Sequence, residues 1–268
     1  VINDQANSDG SFVPPVAPES LSGHASLTVP VVVETSTFLS ELVMTNFGTA
    51  HKTARLALVA DGITGGTATF SLDLAAGQQV IIPSLVQYLR DHGVGGIPAA
   101  GTTVVGPVFV SADGGDVSGL FVGARTSSAG GGGRYGLFYT GIPAGAGAKS
   151  SAWLFGLQQN ADNRANVALV NTGEVDGGGD AFRLDIYDGD TGDLVKTVEG
   201  VSVAAKKWTQ ITTILALYAP GVTNAYAKVT KTAGNNPFIT YAVVNDGGAP
   251  GQRSGDGAFI PMSDVDGP

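Results

Sequence analysis

The densest cluster of metal-compatible ligands in the chain is Asp188-Gly189-Asp190-Thr191-Gly192-Asp193. Three carboxylates within six residues, spaced by glycines, make the kind of loop whose oxygens surround Ca²⁺. The run falls short of the full EF-hand pattern. A polar hairpin turn between a strand ending at Tyr187 and one starting at Leu194 accounts for the same letters and is the favoured reading. Asp188, Asp190 and Asp193 therefore stand as the candidate metal ligands, and Ca²⁺ as the one candidate cofactor.

Gly131-Gly132-Gly133-Arg134-Tyr135-Gly136 has the letters of a dinucleotide fingerprint, but that motif works between a strand and a helix, and here a strand follows. It reads as a hairpin loop. His24, His51 and His92 are the only imidazoles, and none lies near another or beside a nucleophile elbow. The chain has no cysteine, which removes thiolate nucleophiles and Cys-held zinc or iron–sulfur centres. Without a catalytic signature, the expectation is a protein that is not an enzyme. Trp153 and Trp208, with Tyr135, Tyr139 and Tyr226, form a candidate sugar-stacking set, although strand aromatics more often serve as core or cross-strand packing.

Any such residue must be positioned by strands. Gly makes up 40 of 268 residues and charged residues only 14 %, a turn-rich composition poorly suited to long helices. The net charge of −9 repels phosphate backbones and anionic lipid, so nucleic acid is excluded as a partner. The longest apolar runs, 27–33 and 211–219, fall far short of the roughly 20 residues of a membrane-spanning helix. Ala68, Phe70, Leu72 and Leu74 alternate with polar residues, as do Phe182, Leu184, Ile186 and Ala225, Ala227, Val229. That is the two-residue period of half-buried strands. Similar short runs between Gly, Asn, Asp and Pro predict a sandwich or barrel. Only 84–92 and 212–218 read as helical.

Internal matches organise these strands. Leu42-Val43-Met44-Thr45-Asn46-Phe47-Gly48 answers Val167-Ala168-Leu169-Val170-Asn171-Thr172-Gly173, and Ala54-Arg55-Leu56-Ala57-Leu58 answers Phe182-Arg183-Leu184-Asp185-Ile186. The strand and helix of 75–89 answer 204–218. The hairpin closing on Tyr135-Gly136-Leu137-Phe138-Tyr139 and Ile142-Pro143 answers the one closing on Gly257-Ala258-Phe259-Ile260-Pro261. A third, partial copy opens the chain: Val1-Ile2-Asn3-Asp4 with Ser8-Asp9-Gly10-Ser11-Phe12-Val13-Pro14 matches Val243-Val244-Asn245-Asp246 with Ser254-Gly255-Asp256-Gly257-Ala258-Phe259-Ile260-Pro261. An isolated hairpin is marginal in water and needs a sheet to join, so Ile2, Phe12 and Val13 are the candidate assembly residues.

The order of Asn-Thr-Gly after the second strand, Ala-Gly-Gln before a short helix, and Val-Val-Asn-Asp…Gly-Asp-Gly-Ala-Phe-Ile-Pro at the end resembles tandem Ig-like β-sandwich repeat modules of large secreted and cell-surface bacterial proteins. Unit 1 departs from the last motif, having Val122-Gly123-Ala124-Arg125 in its place. The resemblance implies an extracellular structural or adhesive module without chemistry of its own. The expected organisation is all-β: a terminal hairpin of a preceding unit or donor segment over 1–15, sandwich units over 16–143 and 144–262 with one short helix each, and the start of a linker over 263–268. The expected function is a structural subunit of an extracellular fibre, stalk or surface assembly whose partners are other copies of itself, joined by strand donation. The alternative is a carbohydrate-binding or adhesive accessory module with a glycan partner.

Overall fold

The computed structural model describes residues 2–6, 9–130, 132–249, 252–254 and 256–263, with only the backbone of Ile2. Most of the predicted linker over 263–268 therefore lies outside the described residues. Strands cover 54 % of the chain and helices 6 %, so the molecule is all-β, and every strand pairing is antiparallel. Two compact units divide it, Val1–Ala146 and Gly147–Pro268.

The first unit opens with a hairpin of β1 (Ile2–Asn3) and β2 (Gly10–Ser11). It continues with β3 (Ser26–Glu34), β4 (Phe38–Asn46), β5 (Lys52–Leu58), β6 (Ala68–Leu74), β7 (Gln79–Ile82), α1 (Leu85–Asp91), β8 (Val104–Ala112), β9 (Leu120–Gly130), β10 (Gly133–Thr140) and the short β11 (Ile142–Pro143). The second unit holds β12 (Ser151–Gln158), β13 (Asn163–Asn171), β14 (Asp180–Asp188), β15 (Leu194–Val203), β16 (Trp208–Ile211), α2 (Ile214–Tyr218), β17 (Asn224–Ala233), β18 (Phe238–Asp246) and β19 (Gly257–Pro261).

The second unit is a sandwich of two four-stranded sheets, β12-β17-β14-β15 and β16-β13-β18-β19. In the first unit the strands run β3-β8-β5-β6 and β7-β4-β9-β10, which is the same order counted from the unit's own first strand. The two sheets there join into one path through the single pair Glu34↔Leu39. Second-with-fifth and third-with-sixth pairings are those of an immunoglobulin sandwich. The first strand lies beside the sixth and the seventh beside the second, the places that the last and first strands hold there.

Alternation places the cores. Leu72 and Leu74 on β6 are buried while Ser71 and Asp73 face out, and Phe182, Leu184 and Ile186 join the core of the second unit, where Phe182 meets Phe238 edge-on at 4.9 Å. Each buried Leu or Phe stabilises by about 1.5–3 kcal/mol. The helices fall within the predicted stretches and bury Leu85, Val86 and Leu89 in one unit and Ile214 and Leu215 in the other. A 3₁₀ turn at Pro18–Leu21 buries Leu21.

Register refines the internal match. Asn46 pairs with Leu120 and Asn171 with Phe238, while Ala124 pairs with Tyr139 and Ala242 with Ile260. Gly257 and Phe259 thus correspond to Gly136 and Phe138, and Pro261 does not correspond to Pro143. The reason is that Ile142 and Pro143 have already crossed to pair with β3; Ser263 makes the matching bridge to Trp153.

Asn46 and Asn171 end the second strand of each unit and are both fully buried. Nδ2 of Asn46 donates to the carbonyls of Ala50, Leu74 and Ala75 at 2.8, 3.1 and 3.1 Å, and its Oδ1 accepts the Gly48 amide. Nδ2 of Asn171 donates to Gly178 and Val203 at 3.2 and 3.1 Å, and its Oδ1 accepts the Gly173 amide at 2.9 Å. Each side chain ties the end of one sheet to the chain leaving the other. Replacing Asn46 or Asn171 with Ala strands buried carbonyls and is expected to cost about 2–4 kcal/mol, read as a lower urea midpoint at constant m. A loss below about 0.5 kcal/mol, the level of an ordinary surface change, would contradict this role.

Candidate functional site

An edge strand exposes a row of unpaired N–H and C=O groups that must be met by something. The outer edge of β10 is met by the β1–β2 hairpin through side chains. The Asp9 carboxylate accepts the Gly136 amide at 2.8 Å, and the Asp4 carboxylate accepts the Arg134 amide at 3.0 Å. Ser11 Oγ donates to the Gly136 carbonyl at 2.6 Å while accepting Arg125 Nε at 2.8 Å. The Arg125 guanidinium also faces Asp9 at 3.4 Å, and both side chains are at most 10 % exposed. Glu41, opposite Arg125 on β4, has its carboxyl pushed up by burial against the opposing pull of Arg125 and Arg134. The hairpin is thus seated on its own chain and does not extend the sheet as an added strand.

The hairpin also reproduces β18–β19. Asn3 pairs with Gly10 and Ile2 with Ser11; Asn245 pairs with Gly257 and Val244 with Ala258. The Asp4 amide donates to the Asp9 carbonyl at 2.8 Å, and the Asp246 amide to the Asp256 carbonyl at 2.7 Å. Of the expected assembly residues, Phe12 is 65 % exposed, Val13 is half-buried, and the side chain of Ile2 lies outside the described residues. Beside β19 a groove of about 380 Å³ opens toward Gly156 of β12, flanked by Val244, Asp246, Asp256 and Ile260.

A second feature lies on the outward face of β12-β17-β14. Trp153, Phe155, Tyr226 and Tyr187 form one cluster: Trp153 to Phe155 at 6.1 Å, Trp153 to Tyr226 at 5.9 Å, Phe155 to Tyr226 at 6.2 Å, and Tyr226 to Tyr187 at 5.0 Å with rings 5° from parallel. Lys228 Nζ stands 5.5 Å from the Trp153 ring centre. Next to it, Asp185 takes a hydrogen bond from Thr197 at 2.7 Å and an ion pair from Arg183 at 3.0 Å. Phe155 is 50 % exposed, so the face pairs an aromatic row with a polar one. Alternation explains the placement, since Ala152, Leu154, Ala225 and Ala227 take the inward positions.

The other expected aromatics are elsewhere. Trp208 donates its indole N–H to the Tyr241 hydroxyl at 2.9 Å, Tyr139 is buried in the first unit, and the Tyr135 ring lies where a Cβ on Gly130 would fall. Asp188, Asp190 and Asp193 sit in the β14–β15 turn. There Asp188 Oδ1 accepts the amides of Asp190 and Thr191 at 2.8 and 3.3 Å, and Asp190 accepts Asn224 Nδ2 at 2.9 Å. Glu199, twelfth from Asp188, is carried about 20 Å along β15 at the rise of a strand. Among the described residues no group of three or more acidic, His or Cys side chains is arranged to hold a metal ion. His24 contacts the Ala144 carbonyl at 2.7 Å, His51 lies 3.7 Å from Asp73, and His92 stacks on Tyr88 at 3.9 Å.

The residues missed by sequence reasoning are Asp4, Asp9, Ser11, Arg125 and Arg134 in the seat, and Phe155 and Tyr187 on the face. Tyr187 continued an alternation already visible. Arg125 carried no local signal.

Fold and site together define a two-unit β-sandwich protein with a hairpin seated on one sheet edge. No protein-family model matches the chain, and no curated protein matches it. Among solved structures, a "putative secreted protein" from Parabacteroides distasonis is similar over 97 % of this chain and 85 % of that chain, at 10 % identity and a TM-score of 0.21. A TM-score of that size is too low to transfer fold or function. Among the described residues no helix is long and apolar enough to cross a membrane.

Asp9→Ala leaves the Arg125 guanidinium and the Gly136 amide without their shared acceptor. Loss of charge-assisted bonds of about 1.5–3 kcal/mol each is expected to speed limited proteolysis before residue 20 by about tenfold or more. An unchanged cleavage rate would show that the carboxylate does not hold the hairpin.

Proposed function

We propose that the chain is a structural building block of an extended extracellular assembly, made of β-sandwich units that meet through seated hairpins. The observation that carries this reading is that β1–β2, seated on the β10 edge of the first unit, reproduces the register and tip bond of β18–β19 in the second. The same strand order in both units supports a reading as one module used twice. Extracellular placement rests on the resemblance of the repeated motifs to modules of secreted and surface proteins. The role is mechanical, with no catalysis: antiparallel ladders inside each unit, and carboxylate-to-amide contacts at the junction. Electron microscopy of native material is expected to show rows of bead-like units, and dispersed single particles would overturn the reading.

The aromatic face favours a second reading, carbohydrate binding by the same module. Parallel rings beside hydrogen-bonding Thr197, Asp185 and Arg183 offer apolar stacking and polar contacts together. On a glycan array, Trp153→Ala with Tyr226→Ala is expected to weaken any bound neutral glycan about tenfold, the scale of one lost aromatic contact. No glycan bound by the unaltered chain, or binding untouched by the double variant, would remove it.

A further inference from the structure

The seat on β10 presents a fixed set of groups: the Arg125 guanidinium, the amides of Arg134 and Gly136, and the Gly136 carbonyl. Two carboxylates and one hydroxyl from a hairpin fill it. The β18–β19 hairpin carries the same carboxylates at the same register, Asp246 for Asp4 and Asp256 for Asp9, followed by Phe259, Ile260 and Pro261 for Phe12, Val13 and Pro14. One difference between the copies is telling. Ser11 is 1 % exposed because it is seated, whereas Ala258, at its register position, is exposed. The side of β18–β19 that corresponds to the seated side of β1–β2 is therefore open. The Arg125 guanidinium of the seat complements an aspartate of the hairpin in a chain whose net charge is −9.

We propose that the β10 seat of one copy accepts the β18–β19 hairpin of a second copy, and that β1–β2 is an in-chain occupant competing for the same place. This rests on the assembly reading above and names its junction. Seat and hairpin are different surfaces, so the contact is heterologous and propagates copies head to tail into an open row unless the rotation closes. Tethering gives β1–β2 an effective concentration on the order of millimolar, which weakens association of the unaltered chain without abolishing it. Ala258 weakens it further, because it lacks the hydroxyl with which Ser11 bridges Arg125 Nε and the Gly136 carbonyl. Asp246 exchanges its present contacts with Ser254 and the Arg253 guanidinium for the Arg134 amide, and Asp256 its contact with the Gly257 amide for that of Gly136.

The test is sedimentation equilibrium of full-length chains. Ala258→Ser, which leaves the first unit untouched, is expected to tighten self-association about tenfold over the unaltered chain. Asp9→Asn with Ser11→Ala, which loosens the in-chain occupant, is expected to tighten it further when combined with Ala258→Ser. Adding Asp246→Asn and Asp256→Asn to that combination is expected to return the chain to monomer, with circular dichroism reporting the fold throughout. Monomer in every variant, or association that survives the loss of Asp246 and Asp256, would overturn the junction. The assembly reading itself falls only if native material is dispersed, so the two failures are told apart.

Discussion

The outer edge of β10, which no further strand pairs, is the constraint around which the hairpin seat is built. A strand whose outward amides and carbonyls meet only water is a template for uncontrolled pairing. Here the template is closed by carboxylates. Asp9 serves the Gly136 amide and the Arg125 guanidinium with a single oxygen, so backbone satisfaction and charge neutralisation depend on the same atom. A hairpin that is marginal alone becomes ordered because its polar side chains complete a sheet edge. Side-chain closure also differs from strand addition. It occupies a few points of the edge and forms no continuous ladder with it.

Inside the units a different device carries the architecture. Sandwich sheets are held together by apolar burial, which is non-directional, and something must fix which strand end meets which. Asn46 and Asn171 do this at matching positions, each spanning from one sheet's strand end to the chain leaving the other sheet. A buried amide whose donors and acceptor are all used is more selective than the packing around it. The repeated strand order follows from repeated strand patterns locked by this repeated corner.

Much of the fold was legible because its signals are local. The alternation at 68–74, 182–186 and 225–229 marks half-buried strands, and the Asn-x-Gly corners mark where each second strand ends. The hairpin match was legible as well, since Asn3-Asp4 and Asn245-Asp246 precede turns of related composition. The partners across the structure were not. Asp9 and Arg125 are 116 residues apart, and no pattern within either segment points to the other. Prolines misled the alignment because they mark where chain leaves a sheet, not where strands pair. Trp153 and Trp208 look alike in sequence, yet one lies in an open cluster and the other is spent on Tyr241. The difference is set by strand facing and by the neighbouring strands, which single-strand periodicity does not contain.

Amide hydrogen exchange of the unaltered chain at Arg134 and Gly136 addresses the seat most directly, because it reports whether those two edge groups are covered. Protection well above that of an open strand edge, lost together with protection of Asp4, is what a seated hairpin predicts. Free exchange at both residues while the neighbouring ladder of β9 and β10 stays protected would mean that the edge is open and that the hairpin does not close it.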